Sequence, residues 1–371
     1  MNTAPLWSAE TDDTLVCVRV RPETHDVKTF VFDAPAPRRF AYLPGQFVTL
    51  SLPIGPGGEV LHRCYTLSSS PTRPDRLSIT VKRVPNGRVS NWLHDNLRPG
   101  MRVSANGPAG EFSCFAEGDA AQPWKLGGKG PQSYLFISGG SGITPVMSMT
   151  RALVDLASET DIVFVHAARS PADLIFADEL LLLARQHPHL RVALVCEHPD
   201  EQRQWTGYTG RLDAALLQRI VPNLAEREVY TCGPAPFMAA VRGMLVAAGH
   251  PPSRYREESF NFESLAPSPA VPVGDAPAGS TEAGSTYRVS LSRLGDQYEC
   301  RSDQSLLAAA VAAGVRLPAS CSTGLCGTCK TRKLSGEVSM SHKGGIRQRE
   351  IDQGWILPCC SIPLSDVVLE R

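Results

Sequence analysis

Short apolar runs, alternating or rich in β-branched residues, fill the first third of the chain. LVCVRV, TFVF, FVTLSL, RCYTLS, LSITVKRV and RVSANG recur between Pro- and Gly-containing breaks, the pattern of half-buried antiparallel strands. Together they predict a small antiparallel β-barrel. One helix is expected inside it over SNWLHDNL, residues 90–97, just before the Pro99-Gly100 turn. From Ser133 the rhythm changes to YLFIS, DIVFVHAA, RVALVCE and EVYTCG, continuous apolar runs separated by helical stretches. Strands buried on both faces of a parallel, doubly wound sheet read this way. After Tyr287 strands return around one helix, SLLAAAVAAGV, and lead into a loop crowded with cysteine.

Between the second and third patterns lies SLAPSPAVPVGDAPAGSTEAGS, residues 264–285, with no aromatic residue and few large aliphatics. Such a segment cannot bury enough surface to order itself. It is expected to be a flexible linker, spanning about 25 Å if it behaves as a random coil. The expected divisions are therefore 12–118, 131–263, the linker 264–285, and 286–371, and 371 residues is ample for three domains.

Lysine plus arginine balance aspartate plus glutamate at 37 each, so the chain lacks the basic field that nucleic acid or an anionic membrane would select. Neither partner is expected. The N-terminus has no basic stretch followed by an apolar core, and no run approaches the ~20 apolar residues that span a bilayer. The chain reads as cytoplasmic. Its 11 cysteines are an odd number, and their tight C-terminal cluster argues against a secreted disulfide scaffold.

In that cluster Cys321, Cys326 and Cys329 are spaced C-x4-C-x2-C, and Cys359 follows after 29 intervening residues. Four thiolates complete the sulfur shells of two irons, and Gly324 and Gly327 stand where backbone must curl around a cluster. The competing chemistry is zinc, whose modules usually pair two short C-x2-4-C knuckles instead. The segment resembles plant-type 2Fe-2S ferredoxins, a β-grasp fold, over its full length, including the late stretch LPCCSIPLSDV. The spacing and that alignment both select Cys359 as fourth ligand, leaving Cys360 as a neighbour. Soluble plant ferredoxins are acidic, whereas this segment carries Arg288, Arg293, Arg316, Lys330, Arg332, Lys333, Lys343, Arg347 and Arg349. A tethered carrier needs no acidic face to find its own reductase, which frees the surface for another acceptor.

In the first region Arg63-Cys64-Tyr65-Thr66 precedes Leu-Ser-Ser-Ser. It resembles the R-x-Y-S/T signature of the ferredoxin-NADP reductase superfamily. Pro44-Gly45-Gln46-Phe47 before it, and Val81-Lys82-Arg83 and Gly87-Arg88-Val89-Ser90 after it, keep the order of that family. The resemblance implies that Arg63 pairs with a flavin phosphate, Tyr65 packs on the isoalloxazine, and Thr66 lies near flavin N5. The residue types suit this, because a guanidinium grips phosphate oxygens bidentately and a phenol offers a flat apolar face. A helix beginning at Ser90 would turn backbone N–H groups toward a pyrophosphate, favouring FAD over FMN.

Strand YLFIS runs into Gly139-Gly140-Ser141-Gly142-Ile143-Thr144-Pro145, and a later strand ends in Thr231-Cys232-Gly233-Pro234. Both lie at carboxyl ends of predicted parallel strands, where ligands bind in such sheets. They resemble the superfamily's G-G-x-G-I-T-P and C-G-P nicotinamide motifs, a likeness that implies Cys232 near the nicotinamide. Glu257-Glu258-Ser259-Phe260 resembles the family's terminal acidic-plus-aromatic element, and Phe260 is expected to cover the flavin until nicotinamide displaces it. After VFVHAA the chain offers Arg169 followed by Ser-Pro-Ala-Asp, a poor pocket for a 2′-phosphate, so NADH is expected over NADPH.

The order of flavin, nicotinamide and ferredoxin modules resembles the reductases that serve Rieske-type oxygenases. VKRVPNGRVSNWLHD, ARSPADLIF and LPCCS resemble the reductases of glycine-betaine and stachydrine demethylating monooxygenases in particular. The layout is shared by hybrid-cluster protein reductases, and a 2Fe-2S redox sensor with a flavin module that resets it is the alternative of another class. The expectation is an NADH:acceptor oxidoreductase with FAD and a 2Fe-2S cluster. Nicotinamide supplies a hydride, flavin divides its two electrons, and the cluster takes one at a time.

Overall fold

The computed structural model describes residues 4–9, 11–58, 60–115, 133–156, 159–198, 205–259, 285–315, 317, 319 and 322–371. Cys321 and Phe260 lie outside these residues, as does the expected linker apart from Ser285.

The first unit contains β1 (Thr14–Thr24), β2 (Val27–Asp33), β3 (Phe47–Leu52), β4 (Leu61–Thr66), β5 (Leu77–Lys82), α1 (Arg88–Asn96) and β6 (Arg102–Ala109). The strands form one antiparallel sheet in the order β4-β3-β6-β1-β2-β5. A bridge from Leu67 to Ile79 brings the two edges together, so the sheet curls into the expected barrel. Its interior is filled by Leu15, Phe30, Phe32, Val48, Leu50 and Ile79, all buried. At ~1.5–3 kcal/mol per large buried side chain, this alternation is the main local reason for closure. Helix α1 begins two residues earlier than expected. Gly87 takes the extended N-cap position at φ −72° and ψ 105°, and Ser90 Oγ donates back to the Gly87 carbonyl at 3.2 Å. Ser90 therefore fastens the first turn instead of starting it.

The second unit contains β7 (Ser133–Gly139), α2 (Ile143–Asp155), β8 (Asp161–Ala168), α3 (Ala177–Gln186), β9 (Leu190–Cys196), β10 (Tyr208–Thr209), α4 (Ala214–Ile220), β11 (Glu228–Gly233), α5 (Ala235–Ala247) and β12 (Tyr255–Ser259). The sheet is parallel, in the order β10-β9-β8-β7-β11-β12. Tyr134 and Phe136 join one core, while Leu135 and Ile137 join another across the sheet. Period-2 chains buried on both faces lose the polar alternation, which is why these strands read as continuous apolar runs. Strand β12 completes the sheet by pairing Glu258 beside Cys232; its short sequence, YREES, carries no apolar run that predicts it. Helix α2 is fastened to the barrel: Ser148 Oγ donates to the Ser69 carbonyl at 2.6 Å, and Thr72 Oγ1 donates to Asp155 at 2.5 Å.

The third unit contains β13 (Thr286–Leu291), β14 (Gln297–Arg301), α6 (Leu306–Ala312), β15 (Thr331–Ser335), β16 (Val338–Met340), α7 (Gln348–Asp352), β17 (Trp355–Ile356), β18 (Ser361–Pro363) and β19 (Val367–Leu369). A mixed five-stranded sheet, β14-β13-β19-β15-β17, has the parallel pair β13–β19 at its heart. Helix α6 is capped by Ser305 Oγ, which accepts from the Ala308 N–H at 3.2 Å. Its Leu306, Leu307 and Ala310 pack with Val289, Leu357 and Val367, as a β-grasp requires. Among the described residues no helix is long and apolar enough to cross a membrane.

Candidate functional site

A cavity of about 650 Å³ opens between the barrel and the parallel sheet. Twelve of the sequence-predicted residues line it: Arg63, Cys64, Tyr65 and Thr66 from β4; Val81 and Lys82 from β5; Gly87, Val89 and Ser90 around the start of α1; and Thr144, Gly233 and Pro234 from the opposite unit. Motifs up to 171 positions apart (234 − 63) thus share one wall. Asn86, Arg88, Ser141, Ala235 and Pro236 also line it. Asn86 stands at φ 61°, a turn geometry that asparagine tolerates better than most residues and that sequence pattern alone does not announce. Arg83 turns away: it pairs with Asp95, and its Nη1 lies 3.2 Å from Asn91 Oδ1.

Gly139, Gly140, Gly142, Pro145 and Cys232 are not among the lining residues and lie in the same two loops as Ser141, Thr144, Gly233 and Pro234, which are. A side chain at Gly142 would place its Cβ 2.3 Å from the Cys232 carbonyl oxygen and 2.6 Å from Gly233 N. The two loops at the carboxyl ends of β7 and β11 therefore touch backbone to backbone, which only glycine permits. Gly140 adopts φ 53° with open space where a Cβ would be. Cys232 is fully buried, and burial, followed by nearby Glu258, pushes its thiol well above the usual range.

Glu258 Oε2 is sealed from solvent and makes no hydrogen bond among the described residues. Burial, with a smaller contribution from Cys64, raises its carboxyl to about 8. Its neighbour Glu257 points the other way and pairs with Arg242, because successive residues of a strand face opposite sides. The sequence marks both acids; the register of β12 distinguishes them.

In the third unit Cys326, Cys329 and Cys359 are all buried, and Cys329 and Cys359 share a shell with Leu357 and Ile346. Gly324 and Gly327 hold φ 75° and 71°. A Cβ on Gly324 would fall 2.6 Å from Cys360 Sγ, and one on Gly327 would fall 2.5 Å from the Gly345 carbonyl. Tight left-handed curls drawn around soft thiol donors fit a 2Fe-2S cluster. Of the basic residues noted in this segment, Lys330 is buried against Glu350 at 2.7 Å, and Arg347 is buried and points into the barrel's N-terminal arm.

Three domain families match along the chain: an oxidoreductase FAD-binding domain over residues 16–114, an oxidoreductase NAD-binding domain over 136–243, and a 2Fe-2S iron-sulfur cluster binding domain over 290–364. The chain is 42% identical over 367 residues to the glycine betaine monooxygenase reductase subunit of Pseudomonas aeruginosa, covering 95% of this chain and 94% of that one. It belongs to this family of FAD- and 2Fe-2S-containing reductase components. The reductase is also 43% identical over 356 residues to the stachydrine N-demethylase reductase subunit of Rhizobium meliloti, with 96% of each chain covered. Among solved structures it is similar to phthalate dioxygenase reductase, described as a modular structure for electron transfer from pyridine nucleotides to 2Fe-2S. That match has a TM-score of 0.54 at 26% identity, over 98% of this chain and 100% of the other. The reductase thus has FAD, NAD and 2Fe-2S domains in the order expected, and it is an oxidoreductase.

Proposed function

We propose that the reductase takes electrons from NADH and passes them singly to a Rieske-type oxygenase in the cytoplasm, one that demethylates a quaternary amine such as glycine betaine or stachydrine. The observation that carries the reading is the shared cavity, whose Arg63–Thr66 wall faces Gly233–Pro234 and whose Cys64 also reaches the cysteine loop of the third unit.

In this reading Arg63 and Lys82 neutralise the phosphates of FAD, with the backbone at Gly87–Ser90 completing the cradle. Tyr65 offers its ring to the isoalloxazine, and Thr66 sets a hydroxyl at its edge. The Gly139–Pro145 and Cys232–Pro234 loops hold the nicotinamide nucleotide, and Phe260 covers the flavin face in its absence. Cys321, Cys326, Cys329 and Cys359 hold the cluster. Bound there, the flavin divides the two electrons of a hydride and the cluster carries one at a time. Arg169 is exposed just beyond β8, and the Ser-Pro-Ala-Asp that follows adds no second cation for a 2′-phosphate, which supports NADH as the donor.

Anaerobic titration with NADH, read by visible and low-temperature EPR spectra, tests the path. Flavin bleaching together with a rhombic signal near one spin per chain is expected. Flavin bleaching without that signal, in protein that carries iron, would refute the path to the cluster. The partner is tested by mixing the reductase with purified betaine- and stachydrine-demethylating oxygenases and measuring formaldehyde released per NADH consumed. No release above the uncoupled background with either would refute the assignment of the acceptor.

A further inference from the structure

The third unit is seated on the barrel with its cysteine loop facing inward. Thr49 Oγ1 on β3 donates to the Cys326 carbonyl at 2.7 Å and lies 3.4 Å from Cys64 Sγ. Cys64 Sγ is itself 3.7 Å from the same carbonyl and 3.8 Å from Thr328 Oγ1. Cys64 belongs to the flavin-cavity wall, so one strand separates that cavity from a candidate ligand's backbone. Beside this contact Arg347 reaches out of the third unit. Its Nη1 donates to the Ala9 carbonyl and to Asp13 Oδ2, both at 2.9 Å, while Nη2 is held by Glu350 at 3.2 Å. Arg349 adds longer bonds, 3.3 Å, to the same two acceptors.

The electrostatics favour a fixed contact here. Burial alone would raise the Asp13 carboxyl, but bonds from Arg347 and Ser104 outweigh it and hold the group below its ordinary value. The Arg347 side chain is 6% exposed and that of Asp13 32%, so the pair is desolvated enough to matter. Among the described residues a further ion pair joins the third unit to the barrel, Lys343 with Glu111, but it is exposed on both sides at 58% and 77% and contributes little.

We propose that Asp13 and Arg347 form a clamp between the N-terminal arm and the ferredoxin unit, and that Arg347 is a positioning residue that seats the Cys326 loop on Thr49 and Cys64 for flavin-to-cluster transfer. The inference rests on the cofactor assignment above. The step it positions moves one electron, oxidising the flavin by one equivalent and reducing one ferric ion to ferrous, with no bond made or broken. Tunnelling falls steeply with separation, so a loosened seat slows this step while leaving the reaction of NADH with the flavin untouched. Asp13 acts from the barrel side and takes no part in the fold of the ferredoxin unit, whereas Arg347 also caps α7 through Glu350.

The test uses the full-length holoprotein carrying Asp13→Asn, Arg347→Gln, or both. Stopped-flow mixing with NADH separates flavin bleaching from cluster reduction. Steady-state assays compare ferricyanide, a small acceptor expected to draw on the flavin, with cytochrome c, a protein acceptor expected to draw on the cluster. Asp13→Asn is expected to leave flavin bleaching and ferricyanide reduction unchanged and to slow cluster reduction at least ~3-fold, with Arg347→Gln slowing it ~10-fold or more. The double variant is expected to be slowed by less than the product of the two single effects, as partners in one contact require. Hydrogen exchange without NADH gives a readout independent of turnover: amides 9–14 and 347–352 are expected to exchange faster in Asp13→Asn. Cluster reduction and exchange both unchanged in Asp13→Asn, while the wild type reduces its cluster normally, would overturn the clamp alone. A wild-type cluster that NADH never reduces would overturn the cofactor reading and the clamp with it.

Discussion

Replacing Glu258 with glutamine turns the buried carboxyl into a measurable slope of stability against pH. Burial, then the neighbouring Cys64, raises this group from 4.5 to about 8. Between those values the folded chain holds a proton that the unfolded chain has lost. Stability therefore falls as pH rises from about 4.5 toward 8 and levels off above it. The full gap would be worth a ceiling of ~5 kcal/mol at ~1.4 kcal/mol per pH unit. Solvent reaches part of the residue although Oε2 is sealed, so screening brings the working figure to ~2 kcal/mol. At ~3 °C per kcal/mol this is about 6 °C in Tm. The assay is thermal unfolding of flavin-loaded wild type and Glu258→Gln at pH 5, 6, 7, 8 and 9. His62, His94 and His166, all held low chiefly by burial, give a slope of opposite sign near neutrality, but they do so in both proteins and cancel. The Tm of the glutamine variant minus that of the wild type is expected to grow by about 6 °C from pH 5 to pH 9. A difference that stays constant across the range would refute the burial argument.

Other substitutions probe separate parts of the molecule. Gly142→Ala drives a Cβ to 2.3 Å from the Cys232 carbonyl, and neither side can rotate away; isothermal titration is expected to show NADH binding weakened ~10-fold or more with FAD content intact, and equal affinity would refute the packing argument. Arg227, whose side chain is 0% exposed, donates to the Tyr134 and Asp161 carbonyls at 3.0 and 3.3 Å and pairs with the Asp161 carboxylate. Arg227→Met is expected to cost the parallel-sheet unit ~3 kcal/mol in denaturant unfolding, and a change below ~1 kcal/mol would show that methionine packing replaces the network. Cys359→Ser is expected to abolish the visible absorbance and the iron of the cluster. Cys360→Ser, whose thiol packs beside Gly324, is expected to keep both, and the reverse result would exchange their roles.

The three-module order, the strand rhythm of each module and the cysteine spacing were legible because each is a local pattern. Barrel strands alternate because one face is wet, parallel strands run apolar because neither is, and C-x4-C-x2-C sets three thiols within nine residues of chain. The Arg63–Thr66, Gly139–Pro145 and Cys232–Pro234 segments were legible for the same reason, and all three meet at one site. Helix α1 starts two residues before its sequence pattern indicates because Ser90 fastens a turn from inside it, which looks in sequence like an N-cap. Strand β12 has no sequence signature because its stability comes from pairing with β11 and not from its own composition.

What the tertiary structure alone decided are the contacts without local period. Glu258 differs from Glu257 only by which face of β12 meets the core. Arg83, adjacent to two cavity-lining residues, turns instead to α1. Thr49 and Cys326 stand 277 positions apart, and Asp13 and Arg347 stand 334 apart. Hydrophobic periodicity dictates which face of an element is buried. Which buried or charged groups then face each other depends on how whole modules dock, and no window along the chain records that.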